Sequence, residues 1–290
     1  MKSRSLGKLG FDVSVLGLGC GALGDGMSEH DAEALVARAL DLGVVLFDTA
    51  PSYGDSEAKL GRALSRDRNR AVLVTKGGYG VEATPDWTRE CIARGVDRAL
   101  LRLRTDSIDV FLLHSCPLDV LARGDLIEEL GIAKSAGKIR AIGYSGDNDA
   151  LAWAARESAI DVIETSLSPF DQSAFAHVEA ASVRGAGVLV KRPLGNAPWR
   201  FDARPERADI ATYWDRYREM NFRRYEDPSD VALRFAAFAN GVSSALVGTS
   251  RIAHLEQAAA SVERGALPEV VTGEIARSFA AAGRSWPGVI

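Results

Sequence analysis

Short apolar runs alternate with longer helical patterns along this chain, eight times over. The runs lie at 13–18, 44–47, 71–75, 108–113, 139–143, 161–164, 188–191 and 244–247. Some are nearly continuous, as in Val44-Val45-Leu46-Phe47 and Val110-Phe111-Leu112-Leu113. Strands that bury both faces read this way, and parallel sheets covered by helices bury both faces. The intervening segments have the helical period. Ile92, Val96, Ala99, Leu100 and Leu103 fall at i, i+4, i+7, i+8 and i+11, which predicts one apolar stripe laid against a sheet. Thr84-Pro85 and Asp227-Pro228 each read as an N-cap followed by the first helical residue. Gly43, Gly137 and Gly185 each stand between a helical pattern and a strand, where a left-handed glycine stops a helix.

Eight β-then-α units in succession predict an α/β fold, a (β/α)8 TIM barrel, with residues 1–290 as a single domain. The competing architecture is an open doubly wound sheet, which would carry a dinucleotide fingerprint after its first strand. Gly17-Leu18-Gly19-Cys20-Gly21 is there, but Gly-x-Gly-x-x-Gly needs a glycine at position 22, which is Ala22. One stretch, 192–227, has no clear period. It holds Pro193, Pro198 and Pro205 together with Trp199, Phe201, Tyr213, Trp214, Tyr217, Phe222 and Tyr225. Disordered segments are poor in aromatics, so an ordered and functional connection is expected there.

Composition narrows the function classes. Hydrophobic residues make up 47% and charged residues 26%, the ordinary balance of a globular protein. Lys plus Arg is 35 and Asp plus Glu is 39, a net charge of −4, with no electrostatic footprint for nucleic acid or an anionic membrane. No apolar run approaches the roughly 20 residues of a membrane helix. The first eleven residues lack an apolar core, so no secretory signal is expected. Cys20, Cys91 and Cys116 are odd in number and irregular in spacing, as expected for reduced thiols and a cytoplasmic location. His114 and Cys116 alone are too few for zinc, and no metal is expected. Cys116 reads either as a small buried filler or as an oxidisable thiol near the site.

The chemistry lies at the residues that end each strand and open the next loop, because barrel active sites are built where strands end. Asp48 and the loop to Tyr53 come after the second strand, Lys76 after the third and His114 after the fourth. Each alone has an ordinary explanation: an N-cap, a packed loop aromatic, a surface charge, a core histidine. Together they suit carbonyl reduction. A developing alkoxide needs a proton. Tyrosine is a weak acid, with a pKa of about 10, and a neighbouring ammonium favours the phenolate. A carboxylate keeps that lysine charged, and a histidine can donate to the substrate oxygen.

The stretch Phe47-Asp48-Thr49-Ala50-Pro51-Ser52-Tyr53-Gly54-Asp55-Ser56-Glu57 closely resembles the aldo-keto reductase signature. So do Thr75-Lys76-Gly77, the run 107–114 ending in His114, Gly137-Lys138-Ile139-Arg140-Ala141-Ile142-Gly143, and Gly248-Thr249-Ser250. The resemblance runs from about Leu6 to about Ala260. It implies that Asp48, Tyr53, Lys76 and His114 are the catalytic tetrad, with Tyr53 as general acid or base. It also implies that the segment 4–16 is a β-hairpin closing the barrel floor. A nicotinamide dinucleotide is implied without a Rossmann domain, NADP(H) favoured over NAD(H). Gly19, Cys20, Ser145, Glu164, Leu167, Gly248, Thr249, Ser250, Arg251 and Gln257 are the implied cofactor residues, with Ser145 on the carboxamide. A helix N-terminus after Gly248 suits a phosphate, and Arg251 would add a fork of donors; without a ligand, the same residues read as an N-cap and a surface arginine. Met27, Tyr79, Trp87 and Trp199 are the implied substrate-pocket residues.

The chain departs from the family pattern at several of these positions. Gly146 stands where Asn is frequent, Glu164 where Gln is usual, Leu167 where a stacking Tyr is expected, and Gln257-Ala258 where a Glu-Asn pair is common. The resemblance implies an enzyme that reduces aldehydes or ketones, or runs the reverse reaction. Two alternatives stay open: an NAD-dependent sugar or pyridoxal-type alcohol dehydrogenase, and a non-catalytic, cofactor-binding sensor or regulatory subunit. The expected partner is a small carbonyl or alcohol.

Overall fold

The computed structural model describes residues 1–24, 26–282 and 286–289. Among the described residues ten strands succeed one another: β1 Ser3–Ser5, β2 Asp12–Ser14, β3 Leu16–Gly19, β4 Leu46–Asp48, β5 Val72–Gly77, β6 Ile108–His114, β7 Ile139–Ser145, β8 Val162–Ser166, β9 Gly187–Lys191 and β10 Ser244–Gly248. The last eight pair in parallel and close into a barrel, in the order β10-β3-β4-β5-β6-β7-β8-β9. Helices alternate with them, so the expected (β/α)8 barrel is the fold. No helix among the described residues is long and apolar enough to cross a membrane.

The first expected strand, 13–18, is in fact two. β2 pairs antiparallel with β1, and β3 belongs to the barrel. The break falls at Val15 because Ser14 turns its hydroxyl onto the backbone. Ser14 Oγ donates to Leu16 O at 2.6 Å and accepts from Val45 N at 3.0 Å. The β1–β2 hairpin lies where the resemblance put it. Leu6 and Val13 are fully buried among Leu46, Val74, Val110, Leu112, Val162, Leu189 and Leu246, the side chains that fill the barrel interior. The chain can approach this closely because Gly7 is left-handed (φ +57°). A Cβ there would lie 2.4 Å from Gly187 N.

A second apolar layer packs the helices onto the outside of the barrel. In helix Arg89–Leu103 the stripe Ile92, Val96, Ala99 and Leu103 is buried as the period predicts. Its N-cap is Thr88, whose side chain accepts from Cys91 N at 3.2 Å, not Thr84. Thr84 spends its hydroxyl inside a turn, donating to Val81 O at 2.8 Å. Asp227 caps helix Pro228–Ala237 as expected, and Gly43, Gly137 and Gly185 are left-handed at helix ends. Burying each interior Leu contributes about 1.5–3 kcal/mol. Leu112→Ala should cost about 2–5 kcal/mol, because neighbours collapse poorly into a barrel centre. A urea titration would read this as a lower midpoint with an unchanged slope.

The stretch 192–227 is ordered and contains helix Ala208–Glu219. Tyr213, Tyr217 and Phe222 are buried, and Phe170 takes Phe222, Tyr217 and Trp199 against its ring. Residues 286–289 return to the barrel rim. Gly288 N donates to Asn148 Oδ1 (2.9 Å), Val289 N to Asp171 Oδ2 (3.0 Å), Arg216 to Pro287 O (2.8 Å) and Arg192 to Val289 O (2.5 Å).

Candidate active site

Parallel register sets the strand ends side by side. Gly248 pairs with Gly19, and Gly19 with Asp48. Across the barrel, His114 pairs with Ser145, and Ser145 with Glu164. Lys76 lies on β5 between these two groups, so side chains from five strands, β4 to β8, meet at one rim.

At the centre is Lys76, 1% exposed. Its ammonium pairs with Asp48, donates to Thr49 O at 3.1 Å and lies 3.4 Å from Glu164 Oε2. Burial opposes the charge, but Asp48 and Glu164 outweigh it and hold Lys76 firmly protonated. Two carboxylates share this one ammonium. Burial and Glu164 push Asp48 well above the usual carboxylate range. Burial also pushes Glu164 upward, but Lys76 and Lys191 prevail and keep it low. The pair therefore titrates as a unit.

Tyr53 sits on the loop after Asp48, with Lys76 Nζ 5.6 Å from its ring centre. Lys76 is the strongest single influence on the phenol and pulls its pKa down. Burial, Asp48, Glu164 and Tyr79 together push harder the other way, to about 12. The lysine effect expected from sequence is thus present but outweighed, first by burial and then by the carboxylates of Asp48 and Glu164. His114 meets Tyr53 edge-on, with ring centres 6.2 Å apart. Burial, then Lys76, lower its pKa to about 3, so it is neutral at physiological pH.

The remaining expected residues divide. Ser145 is buried and donates to Glu164 Oε1 at 2.9 Å. Glu164 Oε2 is buried without a hydrogen-bond partner among the described residues. Cys20 is fully buried; its N–H donates to Asp48 O at 2.7 Å, and burial pushes its thiol pKa up. Arg251 is the N-cap residue of helix Ile252–Glu263. It is exposed, and its guanidinium has no partner among the described residues. Thr249 braces the turn, accepting from Arg251 N at 3.1 Å. Gly248, Ser250 and Gln257 are exposed nearby. Ser250 lines a cavity of about 530 Å³ with Met27, Asp31, Leu35 and Ile252. Met27 thus faces this cavity, while Tyr79 reaches His114 and Trp87 packs on Tyr79.

Two expectations do not fit the geometry. Leu167 is fully buried in the layer between barrel and helices, so it offers no surface at the mouth. It comes just after the end of β8 and turns inward, its N–H directed at Lys191 O. Trp199 is half-buried and packs on Phe170 and Tyr217 within the aromatic cluster of 192–227, which gives it a packing role. Sequence reading also missed an ion pair at the rim. Lys191 Nζ lies 3.0 Å from Asp147 Oδ2, and Asp147 also accepts from Thr165 Oγ1 and Ser166 N, each at 2.8 Å. Burial raises the Asp147 pKa, but these partners win and keep it charged. Lys191 is the last residue of β9. The rule that found Asp48, Lys76 and His114, applied to that strand, would have found it.

The chain belongs to the aldo/keto reductase family, whose model matches residues 15–278. It is an oxidoreductase, and this family uses NAD(P)H. It is 29% identical over 285 residues to L-galactose dehydrogenase of Arabidopsis thaliana, covering 89% of this chain and 87% of that protein. It is 26% identical over 305 residues to pyridoxal 4-dehydrogenase of Microbacterium luteolum, covering 85% and 89%. An aldo-keto reductase from Bacillus halodurans in its holo form superposes with a TM-score of 0.85 at 26% identity, covering 96% of each chain.

Proposed function

We propose that residues 1–290 form one reductase domain that interconverts aldehydes or ketones with alcohols, with Tyr53 as the general acid or base. The observation that carries this reading is the buried Lys76 ammonium, paired with Asp48 and set 5.6 Å from the Tyr53 ring. Nothing in packing requires a fully buried lysine shared by two carboxylates, and perturbed groups of this kind mark functional sites. Tyr53 gives or takes the proton at the substrate oxygen. His114, neutral, donates a hydrogen bond to the same oxygen. Asp48 holds Lys76 charged and in place.

The residues present fit a nicotinamide dinucleotide. Glu164 Oε2, which lies 3.4 Å from Lys76 Nζ but accepts no hydrogen bond among the described residues, is a buried acceptor suited to an amide N–H, with Ser145 beside it. Arg251 and the helix N-terminus it caps suit a phosphate. When bound, the cofactor supplies or accepts the hydride. The unpartnered Arg251 favours NADP(H). Arg251→Ala should weaken NADPH binding roughly 10- to 100-fold, the worth of one charge-assisted hydrogen bond, and leave NADH nearly unchanged. Equal effects on both cofactors in a fluorescence titration would count against a 2′-phosphate contact.

The relatives named for sugar and pyridoxal oxidation favour a second reading, an NAD-dependent alcohol dehydrogenase on such substrates. A panel of aldehydes, ketones, sugars and pyridoxal-type alcohols with each cofactor, monitored by reduced-cofactor absorbance, separates the two. No turnover anywhere on the panel would favour a sensor role. The three free, buried cysteines support a reducing compartment such as the cytoplasm.

A further inference from the structure

The Tyr79 hydroxyl lies 2.9 Å from His114 Nδ1, and the two rings stack with centres 5.6 Å apart at 28°. Tyr79 is itself held. Trp87 meets it edge-on at 5.6 Å. Trp87 takes a left-handed backbone (φ +59°), and its N–H donates to Gly78 O at 2.7 Å. Its indole covers Gly78, where a Cβ would come within 2.1 Å of Trp87 Cζ3. A bulky residue at positive φ is strained and persists only when its surroundings fix it. Gly78, Trp87 and Tyr79 form one built support ending on a single nitrogen of His114.

A neutral imidazole has one N–H and one lone pair, and the partner of one nitrogen decides what the other offers. Imidazole nitrogen is a stronger base than phenol oxygen, so in the Tyr79–His114 bond the hydroxyl donates and Nδ1 accepts. Nε2 makes no hydrogen bond among the described residues. We propose that Tyr79 is a positioning residue that fixes the tautomer of His114, placing the ring proton on Nε2 as the donor for the substrate carbonyl oxygen. This rests on the reading of His114 given above. Burial and the Lys76 charge support it by keeping the ring neutral. Without Tyr79 the ring would divide between tautomers, and the wrong one turns a lone pair toward the carbonyl oxygen.

The test is two-bond ¹H–¹⁵N NMR of the full chain labelled at histidine. The protein has only four histidines, and His114→Gln assigns the signal. The expected wild-type pattern is the Nε2–H tautomer with Nδ1 accepting. Tyr79→Phe keeps the ring on Trp87 but should give a mixture of tautomers. Its kcat on a chemistry-limited carbonyl should fall roughly tenfold, the worth of one hydrogen bond, with cofactor binding unchanged. Trp87→Phe, which loosens the support and keeps the hydroxyl, should move the spectrum part of the way. An Nδ1–H tautomer in the wild type, or an unchanged spectrum in Tyr79→Phe, overturns the proposal. So does a Tyr79→Phe enzyme with altered KM across substrates and an unaltered spectrum, which would assign Tyr79 to the substrate pocket. If His114→Gln leaves kcat intact, the donor role of His114 fails, whatever tautomer the spectrum reports.

Discussion

Tyr53→Phe is expected to lose at least about 10²-fold in turnover, the lower range of what general acid catalysis supplies. The substitution removes one oxygen and keeps the ring, so the edge contact with His114 and the approach of Lys76 survive. Cofactor binding should change little, because the groups suited to the cofactor lie on β7, β8 and the helix after β10. Stopped-flow measurement of a single turnover separates the chemical step from product release. Near-normal rates there would mean that another group delivers the proton. Ser52 and Asp55 lie on the same loop but are exposed, and Asp55 is paired with Lys59 at 3.1 Å, not with Lys76.

Lys76→Met is expected to cost about 10²-fold or more and to move the pH profile. The sign is set by the neighbours of Tyr53. Lys76 is the one group among them that pulls the phenol pKa down; Asp48, Glu164, Tyr79 and burial all push it up. Removing the ammonium removes that downward pull, so the limb of alcohol oxidation that needs phenolate should move above its wild-type position. Glu164→Gln is the mirror experiment. It removes one upward influence, so the same limb should move down while the shape of the side chain is kept. Opposite shifts from two neighbours of one ammonium are hard to obtain from general disruption. If both variants move the limb in the same direction, or neither moves it, Tyr53 is not the group that titrates. Tyrosinate absorbance in the protein without ligand, corrected with Tyr53→Phe, gives the shift directly.

The barrel was legible in the sequence because its signal is redundant. Eight strands with nearly continuous apolar runs leave little freedom in assignment, and an error in one is checked by its neighbours. The errors fall where a side chain competes with the backbone pattern. Ser14 ends a strand in the middle of an apolar run by bonding Leu16 O and Val45 N. Thr84 resembles a cap but bonds backward into its own turn, and Thr88 takes the cap four residues later. At the rim, Asp48, Lys76 and His114 were legible because each is the last or next-to-last residue of a strand. Leu167 rests on family resemblance alone, and Trp199 on resemblance together with its place in the aromatic stretch nearest the end of the seventh barrel strand; neither says which way a loop residue turns. Leu167 turns into the helix layer, and Trp199 packs on Phe170. The sequence presents Glu164 only as a carboxamide partner. That it also shares Lys76 with Asp48 depends on the curvature of a closed barrel, which brings β4, β5 and β8 across a space no linear pattern describes.

The returning residues 286–289 bind three rim loops that are far apart in the chain. Gly288 holds Asn148 after β7, Val289 holds Asp171 after β8 and Arg192 after β9, and Pro287 holds Arg216. Asn148 adjoins Asp147, and Arg192 adjoins Lys191, the two partners of the rim ion pair. A mouth built from separate loops would let each move on its own. Here four residues act as a seam: a ligand that displaces Arg192 must also work against Asn148 and Asp171. This side of the mouth therefore shifts as one piece, and its stiffness is set by a stretch of chain that contributes no group to the chemistry.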